Sequence, residues 1–242
     1  MKSQPATVAQ DILQERTFRR FAISQRLEHV VIFLCITILL LTGLPQKYRA
    51  TSWSQEILST PERLHRIQDI HHIAAIVLSV EVLFHLGNAI VLMAHRKLPG
   101  HILPTLQDVK DAWHMVLYLL FLRKEKPSFG KYNFEQKATY WFIFFSIGIM
   151  ICTGFILWFP ITFTRWLPGS LIPAAKMAHS AEAIVTAIFV VIWHFYHVHI
   201  ERLNLSIFTG RLSEREMRTY HADEFEYLTG EESEQAETGG SQ

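Results

Sequence analysis

Residues 177–200 read MAHSAEAIVTAIFVVIWHFYHVHI, and this stretch decides the fold. It is long and apolar enough to cross a bilayer, since ~20 residues at ~1.5 Å each cover ~30 Å of hydrocarbon. Yet it carries His179 near its start and His194 near its end. An imidazole in hydrocarbon is costly unless a partner satisfies it. A spacing of 15 residues places the two rings about 22 Å apart along a helix and only about 60° apart around it. Both can face the interior of one bundle.

Three more apolar blocks precede this one, at about 27–46, 70–94 and 138–160. Hydrophobic residues make up 50% of the 242-residue chain, and they are massed in these blocks rather than interleaved with polar positions as in a soluble domain. The expected fold is all-α, an integral membrane bundle of four helices. Residues 1–26 form a polar arm, residues 27–200 the membrane domain and residues 201–242 a tail. The segment 108–121 (DVKDAWHMVLYLLF) has helical apolar spacing but is too short to span, and is expected to lie at the interface. From about residue 229 the Glu-, Gly- and Ser-rich tail is expected to be disordered.

Several classes fall away. A net charge of +1 gives the chain no nucleic-acid character. Cys35 and Cys152 both lie inside apolar blocks and form no CxxCH or CxxC, so covalent haem attachment, a zinc site and a disulfide framework are not expected. The polar first 26 residues do not read as a signal peptide.

Lysine and arginine set the orientation. The N-terminal arm, the middle loop and the tail hold seventeen of the 23 basic residues, and the other two loops hold six. Both termini are therefore expected in the cytoplasm. Trp53, Trp141, Trp158, Trp166 and Trp193 fall near span ends, as an interfacial belt requires.

Thirteen histidines are many for such a chain. His71 and His179 belong to one layer of the bundle. His194 belongs to the other, with either His29 or His85; His72 and His197 are further nearby candidates. A single buried histidine is adequately explained by an inter-helix hydrogen bond. Two layers of imidazole pairs roughly 20 Å apart are what two stacked bis-histidine haems require. A di-metal site would want carboxylates at the same depth, and the clear in-span acids are Glu28, Glu81 and Glu182. A transition-metal transporter is the alternative from another class, but four spans without an evident repeat argue against it.

The segments FGKYNFEQKATYW (129–141), TGFILW (153–158), His179 and WHFY (193–196), with QRLEH (25–29) opening the first span, resemble the cytochrome b subunits of membrane-bound formate dehydrogenases. Related cytochromes serve hydrogenases, thiosulfate reductases and multihaem cytochrome partners. The resemblance covers about residues 19–227. It implies two haem b groups, one held by His29 and His194 and the other by His71 and His179. It also implies a menaquinone or ubiquinone pocket at Asn133, Gln136 and Lys137. By capping rules alone, Asn133 is a helix N-cap and Gln136 its capping-box partner. The expected partner is an iron–sulfur or multihaem cytochrome c subunit on the outer face of a bacterial inner membrane. Arg19, Arg20, Arg26 and Arg66 are candidates for haem propionates, besides serving as topology signals. This chain departs from the formate dehydrogenase pattern in spacing its fourth-helix histidines by 15 residues rather than 14, which a bulge or π-turn can absorb. It has no dehydrogenase active site of its own, so its expected role is electron transfer to or from quinone.

Overall fold

A computed structural model of the chain describes residues 16–95, 102–125, 129–200 and 203–239. Residues 1–15 of the expected arm lie outside the described residues, as do Arg96, Lys97, Lys126 and Arg202 of the charge count. The helices, in chain order, are α1 (Ile23–Lys47), α2 (Ser52–Ile57), α3 (Pro61–Ala94), α4 (Leu106–Leu119), α5 (Phe134–Trp158), α6 (Pro160–Thr164), α7 (Leu171–Ile188), α8 (Ser206–Thr209), α9 (Glu214–Tyr220) and α10 (Ala222–Gly239). Two short strands, β1 (Thr17–Arg19) and β2 (Arg211–Ser213), complete the set. Helices α1, α3 and α5, and α7 with the continuation that carries it to Val198, are long and apolar enough to cross a membrane.

The chain divides into two compact units. One comprises Ser24–Leu98 and Trp141–Asn204. Its apolar side chains mostly face outward: Leu41 is 69% exposed and Leu83 68%. Water would penalise such a surface; lipid does not. Inside, Cys35 of α1, Leu78 of α3 and Ile147 of α5 form a buried cluster. Cys35 and Cys152 are free thiols.

Helix α3 begins nine residues before the apolar block at 70–94. Thr60 caps it, accepting from the Arg63 N–H at 3.3 Å, and Pro61 occupies the first turn, where its missing N–H costs nothing. Capping sets where a helix starts, whereas apolar content sets where it meets lipid. Helix α7 passes into π-helix over Phe189–His194 and again over Tyr196–Ile200. The N–H of Phe195 bonds the carbonyl of Val190, five residues back. The wider turn takes up the extra residue between His179 and His194.

The second unit gathers Met1–Ile23, Pro99–Tyr140 and Leu205–Gln242. Its strands pair antiparallel, Phe18 opposite Leu212. Phe18, Leu212, Met217 and Phe225 form its core, with the rings of Phe18 and Phe225 edge to face at 5.6 Å. Ser213 and Glu216 close a capping box on α9. The tail expected to be disordered from about residue 229 is instead helix as far as Gly239. Glu, Gln and Ala favour helix, and Asp223 and Glu224 sit in the first turn, where the helix dipole favours negative charge.

Leu212 is 4% exposed, so Leu212→Ala should destabilise the second unit by about 2–5 kcal/mol. The expected result is faster limited proteolysis near β1 and β2, with the circular dichroism of the spans unchanged.

Candidate functional site

The geometry is clearest at His71 of α3 and His179 of α7. Their ring centres are 6.4 Å apart. Each ring is held in the same way by a different helix. Thr42 Oγ1 of α1 lies 2.9 Å from His71 Nδ1, and Thr153 Oγ1 of α5 lies 2.9 Å from His179 Nδ1. Each hydroxyl already donates its proton backwards along its own helix, Thr42 to the Ile38 carbonyl at 2.7 Å and Thr153 to the Ile149 carbonyl at 2.6 Å. Each therefore accepts from the ring, which places the ring proton on Nδ1 and leaves the Nε2 lone pair for a metal.

A glycine follows each threonine. A methyl on Gly43 would lie 3.3 Å from His71 Cε1, and one on Gly154 would lie 3.3 Å from His179 Cε1. The rings pack where only hydrogen leaves comfortable room.

The second pair is His29 of α1 and His194, in the first π-helical segment. Their ring centres are 6.2 Å apart. Two metal–nitrogen bonds of about 2 Å, plus roughly 1 Å from each nitrogen to its ring centre, put two imidazoles on one metal about 6 Å apart. Both pairs fit that span, and the donor chemistry, two imidazoles each, is that of bis-histidine haem.

The other candidate histidines make contacts of their own. His72 stacks on Trp158 at 4.0 Å and 11°. His197 Nδ1 donates to the Trp193 carbonyl at 2.7 Å, and its ring lies 4.4 Å from that of Trp193. His85 Nδ1 is 2.8 Å from Glu28 Oε2. Glu182 accepts from the Ser146 hydroxyl at 2.5 Å, an inter-helix bond between α7 and α5.

The three expected quinone residues separate. Asn133 and Gln136 form the capping box that starts α5: the Gln136 N–H donates to Asn133 Oδ1 at 2.7 Å, and the Asn133 N–H donates to Gln136 Oε1 at 3.3 Å. Neither lines the polar cavity of about 460 Å³ in the second unit, whereas Lys137 does, beside Asp108, His114 and Tyr132. Lys137 Nζ donates to both oxygens of Asp108, at 2.7 and 3.0 Å. Burial works against the charge on Asp108, but Lys137 and the Thr105 groups bonded to it hold its carboxyl below the usual value. Burial pushes the Tyr132 phenol up, against the pull of Arg20, so it stays protonated as a donor. Arg20 is buried, stacks over Tyr132 at 5.0 Å and donates to the Lys131 carbonyl.

Sequence reasoning passed over Asp108, His114, Tyr132 and the two threonines. The threonines carried a signal, since Thr-Gly occurs inside an apolar block twice, at 42–43 and 153–154. Asp108 signalled only a helix start, as the partner of Thr105 in a capping box.

The family model of prokaryotic cytochrome b561 matches residues 20–210. Among individual proteins, the chain is 23% identical over 193 residues to the cytochrome b556(Fdn) subunit of the nitrate-inducible formate dehydrogenase of Escherichia coli, covering 80% of this chain and 83% of that one. It is 26% identical over 183 residues to the cytochrome b556(fdo) subunit of Escherichia coli formate dehydrogenase, covering 74% and 78%. The formate dehydrogenase cytochrome b556 subunit of Haemophilus influenzae matches at 23% over 160 residues, 66% of this chain and 62% of that one.

The Asp108–Lys137 pair makes a pH prediction. A depressed native pKa means that Asp108 stabilises the second unit fully above its unfolded pKa of about 4, and that this contribution is lost as pH falls through the native value. Asp108→Asn should lower the melting temperature at neutral pH and lose less stability between about pH 5 and 3 than the unchanged chain. Melting curves across that range check it.

Proposed function

Because the chain belongs to the prokaryotic cytochrome b561 family, and is thus a b-type electron-transfer cytochrome of the bacterial membrane, we propose that it holds two haem b groups and exchanges electrons between a partner subunit and the quinone pool. The observation that carries this reading is the duplicated Thr–Gly–His arrangement, supported by a second histidine pair at a ring separation within 0.2 Å of the first.

In this reading His71 and His179 ligate one haem through Nε2, and His29 and His194 ligate the other. Bound haem supplies a one-electron couple with no coupled group transfer. The protein's part is to keep each imidazole in one tautomer and orientation. Thr42 and Thr153 do this from the second layer of contacts, and by accepting Nδ1–H they make the ring a better donor to iron. Gly43 and Gly154 let the helices approach closely enough for the ring to sit flat. The lipid-facing surface keeps water from the site.

Quinone, as menaquinone or ubiquinone, is placed at the polar cavity. Lys137 and the Tyr132 hydroxyl offer hydrogen-bond donors to its carbonyl oxygens, and Asp108 accepts from the hydroquinone form. Reduction to hydroquinone takes two electrons and two protons. Asn133 and Gln136 act by fixing the first turn of α5 and hence Lys137. The partner is an iron–sulfur or multihaem cytochrome c subunit on the outer face, and both termini lie in the cytoplasm. The seventeen-to-six division of basic residues supports this orientation. So does the pairing of β1 with β2, which joins the N-terminal arm to the tail. The relatives are named as subunits of formate dehydrogenases, which supports a partner of the same kind here.

A pyridine haemochrome assay of the purified chain should count two haem b per chain, falling to one in His179→Ala; no haem in the unchanged chain would overturn the reading. Thr153→Val should keep the fold but weaken retention of one haem by about 10–100-fold and raise the midpoint potential of that haem alone, because its ligand becomes less basic. Lys137→Ala should retain both haems and slow their reduction by added quinol about tenfold or more, the loss of roughly 1.4 kcal/mol of binding.

A further inference from the structure

One buried carboxylate has no part in the histidine pairs. Glu81 of α3 is 8% exposed, and among the described residues neither of its oxygens has a hydrogen-bond partner. An ionised carboxylate buried in this way is normally paired or bound to a metal. Glu81 is not solitary. One ligand atom from each of Glu28, Glu81 and His85 lies within 4.8 Å of the others. Glu81 and His85 are four residues apart on α3, hence on one face of the helix, and Glu28 reaches them from α1.

With both glutamates ionised, the charges do not balance internally. The Glu28–His85 contact of 2.8 Å can satisfy one carboxylate, and Glu81 is left over. A divalent cation offsets both negative charges at once and gives Glu81 a partner. Two carboxylates with one imidazole form a mixed oxygen and nitrogen donor set. That set suits Zn²⁺ or Mn²⁺, while a site for Ca²⁺ or Mg²⁺ would be built from oxygen alone.

We propose that Glu28, Glu81 and His85 bind one divalent transition cation of the zinc type, cross-linking α1 to α3 within the membrane unit. This site is separate from the haem-iron sites and goes beyond the electron-transfer reading. Each glutamate gives one oxygen, His85 gives one ring nitrogen, and water completes the coordination. No redox change at the cation is involved. Its role is structural: it fixes α1, which carries both Thr42 and His29, against α3, which carries His71.

The test uses the full chain purified in detergent with its cofactors, stripped of loose metal by a chelator and dialysed against Zn²⁺. Zinc per chain is counted by mass spectrometry. The unchanged chain is expected to bind one zinc tightly, and zinc should raise its melting temperature. In Glu81→Gln and in His85→Ala the affinity should fall by more than the roughly 100-fold that loss of an outer-shell partner costs. Both variants should keep the visible spectrum and the metal-free melting temperature of the parent. Zinc held by surface histidines would appear as weak sites common to all three proteins. Three results would overturn the proposal. They are tight zinc undiminished in Glu81→Gln, no tight zinc in the unchanged chain, and loss of a haem from His85→Ala, which would make that histidine a haem ligand instead.

Discussion

A hydrogen bond from an imidazole to a threonine that has already given its own proton away is the contact on which this molecule turns. In hydrocarbon an imidazole has two nitrogens to satisfy and no water to satisfy them. Thr42 and Thr153 each accept a hydrogen bond from Nδ1–H, a direction fixed because each hydroxyl donates its own proton to the carbonyl one turn earlier. The remaining nitrogen then has a lone pair and a fixed direction. The membrane, which makes a lone histidine expensive, makes a satisfied one rigid.

The fold was legible because the bilayer is a demanding solvent. Four apolar blocks leave the chain few alternatives to four helices. Helix starts were less legible. The TPE at 60–62 is a helix-start signal placed nine residues before the apolar run, and hydropathy does not register it. The 15-residue interval in the last span pointed to a local irregularity, and the π-helical turn at Phe189–His194 supplies it. The acidic tail is helical as far as Gly239; its low hydrophobicity predicts the absence of a core, which is not the same as the absence of helix.

The candidate site divided along similar lines. Histidines stand out in a membrane sequence because their chemistry is out of place there, so the pairs His71–His179 and His29–His194 could be set out from spacing, depth and resemblance. Threonines do not stand out, since a hydroxyl bonded back to its own helix is ordinary in lipid. The polar motif around Lys137 was harder to divide. Asn133 and Gln136 are adjacent to it in sequence, but their side chains turn to the backbone N–H groups that open α5. The companions of Lys137 in the cavity come from segments distant along the chain, Asp108 and His114 from α4. No local pattern announces such a meeting.

The doubled Thr–Gly–His unit also bears on how the protein is built. Thr42 and His71 belong to the first two spans and Thr153 and His179 to the last two, so each helical hairpin carries one oriented imidazole and half of the proposed haem site. Neither hairpin can close that site alone. A haem held as proposed would therefore join one hairpin to the other as well as carry electrons. Under the proposed ligation, the two hairpins meet at a shared cofactor, and each supplies one imidazole already oriented by its own threonine.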